Sequence, residues 1–197
     1  DVFDTLVLRP FLTPSGARQY LAHTIKSRFG LADFVGLRER AEQIACGKLG
    51  RDAALTEIYA EMNQFGEARD IDVTELHRME LDFERRVLRT RKAVLDGARQ
   101  VAKSGKRVFG LSDMYINGIE LADALPAEVR EILPTLVVSC DTGKRKDTGE
   151  AWSNLAEQGI FPGRWLHVGD NEHSDLQVPR NAGLMEPVHV LRPSSLL

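Results

Sequence analysis

Only two cysteines occur in 197 residues. Cys46 and Cys140 have neither a CxxC neighbour nor a histidine at ligand spacing, so no disulfide framework or zinc site is indicated. A reducing compartment, the cytoplasm, is the resulting expectation. No apolar run approaches the ~20 residues of a membrane span, and no secretory leader is legible; no membrane partner is expected. An excess of one charge is missing too. Lys+Arg number 26 against 29 Asp+Glu, a net charge of −3, which gives no basic surface for nucleic acid. Internal repeats and low-complexity tracts are absent. What is present is ordinary globular composition, 43% hydrophobic and 28% charged. The length suits one domain, or one core with an inserted lid.

The chain opens Asp1-Val2-Phe3-Asp4-Thr5-Leu6-Val7, without methionine. Residues 1–8 read as the second half of a buried strand running into a loop, so four or five apolar residues are expected upstream. Thr13-Pro14 offers an N-cap and a first-turn proline for a helix that Gly30 closes. Apolar residues at helical spacing predict further helices over 34–45, 55–65 and 74–87. From residue 92 the pattern changes. Helices over 92–103, 118–125, 148–158 and 174–182 alternate with short apolar strands over 107–111, 135–139, 166–168 and 187–191. Such alternation predicts a parallel sheet with crossover connections, and ligands of such sheets gather at the carboxyl ends of the strands.

Polar residues stand at those ends: Asp1 and Asp4, Ser112 and Asp113, Ser139 and Asp141, Gly169 and Asp170. Two carboxylates at buried strand ends, Asp1 and Asp170, need compensation, because an unpaired buried charge is expensive. Mg²⁺ supplies it, typically through one or two carboxylates plus waters and phosphate oxygens. Ser112 adds a hydroxyl and Lys146 a fixed positive charge. Together these residues suit a phosphoryl group, with an aspartate as nucleophile.

Four segments, in order, resemble the motifs of the haloacid dehalogenase (HAD) superfamily. They are Asp1-Val2-Phe3-Asp4-Thr5-Leu6, Val108-Phe109-Gly110-Leu111-Ser112-Asp113, Lys146 within Gly143-Lys144-Arg145-Lys146-Asp147-Thr148-Gly149, and His167-Val168-Gly169-Asp170-Asn171-Glu172-His173-Ser174-Asp175. The strings SDMY, KDTG and GDNEHSD further resemble a bacterial hydrolase subgroup found near surface-polysaccharide genes. The resemblance implies an α/β fold: a Rossmann-like parallel-sheet core over 1–12 and 91–197, with a helical cap inserted over 13–90. It implies Asp1, Ser112, Lys146 and Asp170 as catalytic residues, and Thr5, Ser112, Asp113 and Lys146 at the substrate. It also implies Mg²⁺ held by Asp1, the Phe3 carbonyl and Asp170. The expected partner is a small phosphorylated metabolite.

One departure matters. Where the family's phosphatases usually carry a second aspartate as acid and base, this chain has Phe3. Asp4 follows, but strand alternation would turn it away. Dehalogenation or phosphonate cleavage is therefore an alternative, with Lys26 and Lys48 the only lysines of the cap. A non-catalytic sugar-phosphate-binding module is another. Several residues have competing readings. Asp175 either favours a helix start or orients Lys146 or a metal-bound water. Lys144 is the alternative to Lys146. His173 and Tyr115 are outside candidates for a replacement acid. Glu80 and Glu84, spaced i, i+4 near Arg85, Arg86 and Arg89, read as a solvated face with ion pairs.

Overall fold

The computed structural model describes residues 1–11, 14–159, 163–183 and 185–192. The expected cap at Thr13 lies outside them. β1 (Val7–Leu8) pairs antiparallel with β2 (Arg89–Thr90), with Val7 opposite Thr90. Among the described residues, everything between these two strands is helical or loop. α1 (Pro14–Phe29), α2 (Phe34–Leu49), α3 (Leu55–Met62) and α4 (Val73–Val87) follow one another, with a 3₁₀ turn at Gly66–Ala68. The helical segment thus leaves and re-enters the rest of the molecule through one two-stranded neck.

The remainder alternates. α5 (Lys92–Lys103), β3 (Gly110–Ser112), α6 (Gly118–Ala124), α7 (Ala127–Arg130), β4 (Leu136–Val138), α8 (Ser139–Thr142), α9 (Glu150–Glu157), β5 (Trp165–Gly169), α10 (Val178–Asn181) and β6 (Met185–His189) occur in that order. β3 and β4 run parallel, Ser112 opposite Val138. β5 and β6 also run parallel, Gly169 opposite His189. The backbone nitrogen of Asp1 donates to the Val168 carbonyl (2.7 Å), which fixes the start of the chain against β5. The fold is mixed α/β with small parallel sheets.

Local chemistry sets the boundaries. Asp33, Asp72 and Asn117 cap α2, α4 and α6 by accepting from backbone N–H groups of the first turn. α4 buries Leu76, Glu80, Phe83 and Glu84 along one face. Those two glutamates correct the expectation of a solvated face: both are almost fully buried. They pair with Arg38 and Arg9 rather than with the nearby arginines of their own helix. Ile25, Phe34, Ile58 and Leu76 of the helical segment share one apolar core with Val2, Leu95, Ile116 and Leu121 of the α/β part. Leu111, Trp152 and Leu155 form a second, smaller cluster.

The first eight residues also differ from the expected strand. Phe3 makes a single bridge to Val7. Leu6 and Val7 both donate to the Val2 carbonyl (2.9 and 3.0 Å), so the chain curls back on itself around Asp4, whose φ is +55°. Aspartate tolerates this left-handed conformation better than most residues. The expected helix over 174–182 divides into a π-helical turn at Glu172–Gln177 followed by α10.

Candidate functional site

The ends of β3 and β5 meet the loops that carry Asp1 and Lys146 around one pocket. Lys146 donates from Nζ to Asp1 Oδ1 and to Asp175 Oδ1, both at 2.7 Å. The Thr5 hydroxyl reaches Asp1 Oδ2 (2.9 Å) and, at longer range, Asp170 Oδ1 (3.4 Å). Ser112, buried at the end of β3, lines the same pocket of about 360 Å³ as Asp1, Lys146 and Asp170. Lys144, by contrast, is about half exposed and pairs with Glu150 (3.2 Å). Of the two candidate lysines, Lys146 is the one that faces the carboxylates.

Asp113 sits differently from a simple ligand. Its carboxylate accepts the Lys146 backbone N–H through both oxygens (3.1 and 3.0 Å), which ties the loop after β3 to the lysine loop. Burial raises this carboxyl, against the opposing charge of Lys146.

Asp175 is engaged by three donors. Lys146 Nζ and His167 Nε2 (2.9 Å) meet at Oδ1, and the Asn171 N–H reaches Oδ2 (3.1 Å). Burial acts to raise its carboxyl, but the His167 hydrogen bond and the Lys146 charge outweigh this and hold it well below the usual range. His167 itself is pushed down to about 3, by burial first, so the imidazole is neutral and donates from Nε2. Gly169 makes this approach feasible. A Cβ there would lie 2.4 Å from the Asp175 carboxyl carbon, so only glycine allows the turn to bring that side chain so close.

Carboxylate oxygens of Asp1, Asp170 and Asp175 lie within 4.8 Å of one another, a set able to hold a metal ion. Arg192 contacts one oxygen of Asp170. With Lys146 this makes two cationic groups for three carboxylates, leaving negative charge that a divalent cation would neutralise. Asp175 accepts three donors, whereas Asp1 and Asp170 accept two each and keep more lone pairs open. The all-oxygen donor set of Asp1, Asp170 and Asp175 fits a hard cation, and Asp175 also holds Lys146.

Phe3 lines the pocket but is covered by Arg9, whose guanidinium carbon lies 4.2 Å from the ring centroid. Asp4 is not turned away as strand alternation suggests. The left-handed turn removes the alternation, and Asp4 lines the same pocket as Asp1 and Asp170. Burial, then the charge of Asp170, raises its carboxyl, against the pull of Arg9, Arg192 and Arg91. His173 is exposed at the pocket rim. Tyr115 lies against Arg38 (4.8 Å) outside this pocket, and burial drives its hydroxyl pKa upward. Sequence reasoning missed Arg192, His167 and Arg9. His167 had a signal, since it shares the buried strand face of Gly169 at period two. Arg192 and Arg9 had none.

No family model matches the chain, and no curated protein does. Among solved structures, a hydrolase from Streptococcus pneumoniae TIGR4 is similar at 16% sequence identity and a TM-score of 0.45, over 81% of this chain and 87% of that one. Among the described residues, no helix is long and apolar enough to cross a membrane.

Proposed function

We propose that this chain is a Mg²⁺-dependent phosphatase of a small phosphorylated metabolite, working through an aspartyl-phosphate on Asp1. Its architecture, in this reading, is a Rossmann-like core carrying a helical cap. The observation that carries the proposal is the setting of the Asp1 carboxylate. It is held from two sides by Lys146 (2.7 Å) and Thr5 (2.9 Å), next to Asp170, in a pocket with Ser112 on its wall.

A carboxylate fixed in this way is aimed rather than merely buried. An Asp1 oxygen attacks phosphorus, and the bond from phosphorus to the leaving oxygen breaks. The leaving oxygen takes a proton, and water then attacks phosphorus and frees phosphate and Asp1. Lys146 and Ser112 hold the phosphoryl oxygens and stabilise their charge. Mg²⁺ on Asp1, Asp170 and the Phe3 carbonyl would add positive charge against those oxygens. Asp4 is the carboxyl best placed to supply the proton that Phe3 cannot, because its turn directs it into this pocket.

Phosphonate cleavage through a lysine imine lacks support. Lys26 and Lys48 are exposed, Lys48 is engaged by Glu61 (2.7 Å), and neither lines the pocket. A phosphate-binding module without turnover is the second reading, favoured by Phe3 and its Arg9 cover. One experiment separates the two. Turnover of an aryl phosphate and an alkyl phosphate is measured with and without Mg²⁺, in wild type, Phe3→Asp and Asp4→Asn. The phosphatase reading expects Mg²⁺-dependent turnover of both substrates. It also expects Asp4→Asn to slow the alkyl phosphate by about 10²-fold or more and the aryl phosphate much less, because an alkoxide needs its proton. Phosphate binding with no turnover of either substrate would establish the module reading instead.

A further inference from the structure

Resting on the phosphatase reading, we propose that Asp52 is a positioning residue: a carboxylate of the helical segment that sets the two phosphate-binding loops of the α/β part relative to each other. The segment between α2 and α3 docks on the rim through several contacts. Leu55 N–H donates to the Tyr115 carbonyl (2.7 Å), and Arg51 donates to the Cys140 carbonyl (3.2 Å). Asp52 lies between them, and its two oxygens go to different loops.

Oδ2 accepts from the hydroxyl of Ser139, which is itself buried. That Ser139 oxygen accepts in turn from the Met114 N–H (2.9 Å), two residues beyond Ser112. Oδ1 accepts from Arg145, the residue immediately before Lys146. One cap carboxylate therefore reaches the Ser112 loop through Ser139 and the Lys146 loop through Arg145. The direct tie between these loops is Asp113 on the Lys146 backbone. Asp52 adds a second tie that exists only while the helical segment is seated. It lines a neighbouring pocket of about 300 Å³, between Phe3, Asp113 and Arg145, and not the pocket that holds Asp1 and Asp170. Its effect on phosphate is thus exerted through other residues.

The chemistry calls for a carboxylate. An ionised carboxylate only accepts, so Ser139 must spend its single proton on Asp52 and present a lone pair to Met114 N–H. Asparagine breaks this polarity. Its oxygen serves one donor, and its NH₂ then faces the other.

The test uses the full chain, p-nitrophenyl phosphate as substrate and inorganic phosphate as ligand, with urea unfolding run in parallel. Asp52→Asn is expected to raise both KM for p-nitrophenyl phosphate and Kd for inorganic phosphate by about 10-fold, with kcat changed less than about threefold. Ser139→Ala, which removes only a hydroxyl, should give the same weakening, and the double variant no more than either alone. Should Asp52→Asn fail to fold, Ser139→Ala carries the same test. Lower urea midpoints with unchanged phosphate affinity would overturn the proposal, because Asp52 would then only fasten the helical segment. In that case wild-type turnover leaves the phosphatase reading intact. A wild type that neither binds inorganic phosphate nor turns over p-nitrophenyl phosphate would overturn both.

Discussion

Arg38 and Glu80 are buried together in the helical segment, at 3.2 Å, and Tyr59 donates its hydroxyl to the same glutamate (2.6 Å). Glu84 beside them is met by Arg9 (2.9 Å). At the strand ends, Asp1, Asp170 and Asp175 are packed as tightly, but two cationic groups serve three carboxylates, and one of these is the half-exposed Arg192. The first cluster matches each carboxylate with a guanidinium, and a matched set fixes packing and nothing else. Burial acts to raise Glu80, yet Arg38 and Tyr59 keep it ionised below its usual range. The second cluster carries unspent negative charge at the mouth of a pocket. Folding alone does not call for that excess, and a cation together with a phosphoryl group would use it.

This contrast predicts opposite responses to removal of a carboxylate. The largest effect is expected at Asp1. On the proposed phosphatase reading, Asp1→Asn should lower aryl phosphate turnover by more than about 10³-fold, because an amide is no nucleophile toward phosphorus. Asp170→Ala should weaken Mg²⁺ binding measured by calorimetry, while unfolding free energy in EDTA stays constant or rises by about 1 kcal/mol as repulsion is relieved. Equal Mg²⁺ affinity in wild type and Asp170→Ala would remove the metal site from this cluster. Glu80→Ala should do the reverse. It takes the buried partner from Arg38, leaving it Glu42 (2.9 Å), and is expected to cost about 3 kcal/mol in urea unfolding, with the phosphate affinity of the folded protein unchanged. A loss below about 1 kcal/mol would mean that Glu42 and water suffice for Arg38, and that the helical cluster is less closed than its geometry indicates.

The next effect is one of pH. His167 is held neutral, its pKa pushed from 6.5 to about 3, whereas the unfolded chain protonates it normally. Between those values the unfolded state binds more protons. Stability is therefore full above about pH 6.5 and is lost as pH falls toward 3, by up to about 1.4 kcal/mol per unit. Asp4 and Glu84, both raised chiefly by burial, act with the opposite sign at lower pH. The quantity to measure is thus the difference between wild type and His167→Gln in urea midpoints at pH 7 and pH 5. Parallel pH dependences in the two proteins would show that His167 is not the group responsible.

How much of this was legible in the sequence depends on whether the signal was local. Lys92–Lys103 is helical as the periodicity indicates, since its single apolar face repeats regularly. Asp1, Ser112, Lys146 and Asp170 line one pocket, as expected, but only Ser112 and Asp170 stand at the ends of parallel strands, β3 and β5, while Asp1 and Lys146 lie in loops. The failures came where tertiary context outranked spacing. Glu80 and Glu84 look like surface residues, and only the fold brings Arg38 and Arg9 to them from distant segments. Asp4 was assigned by strand alternation, but a left-handed turn intervenes. Asp52 carries no motif at all; it becomes visible only once Ser139 and Arg145 are seen on either side of it.

The smallest expected effect concerns the two lysines that bracket Arg145. Lys144 has its own partner in Glu150 at 3.2 Å, and both side chains are about half exposed. Water screens such a pair, and pairs of this kind contribute about 0–1 kcal/mol. Lys146 is buried between Asp1 and Asp175 at 2.7 Å from each, where little water reaches it. Removing it leaves two carboxylates facing each other and takes away the charge that would meet a phosphoryl oxygen. Lys144→Ala should therefore shift unfolding free energy by less than about 0.5 kcal/mol and change aryl phosphate turnover less than about twofold, whereas Lys146→Ala should reduce that turnover by about 10²-fold or more. The comparison is cleanest as a pair, with both variants assayed at the same ionic strength, because salt mutes the exposed lysine further and leaves the buried one almost untouched. If Lys144→Ala proved the more damaging, the lysine loop would have to be re-registered by two residues, and the assignment of Asp175 as the orienting carboxylate would fall with it.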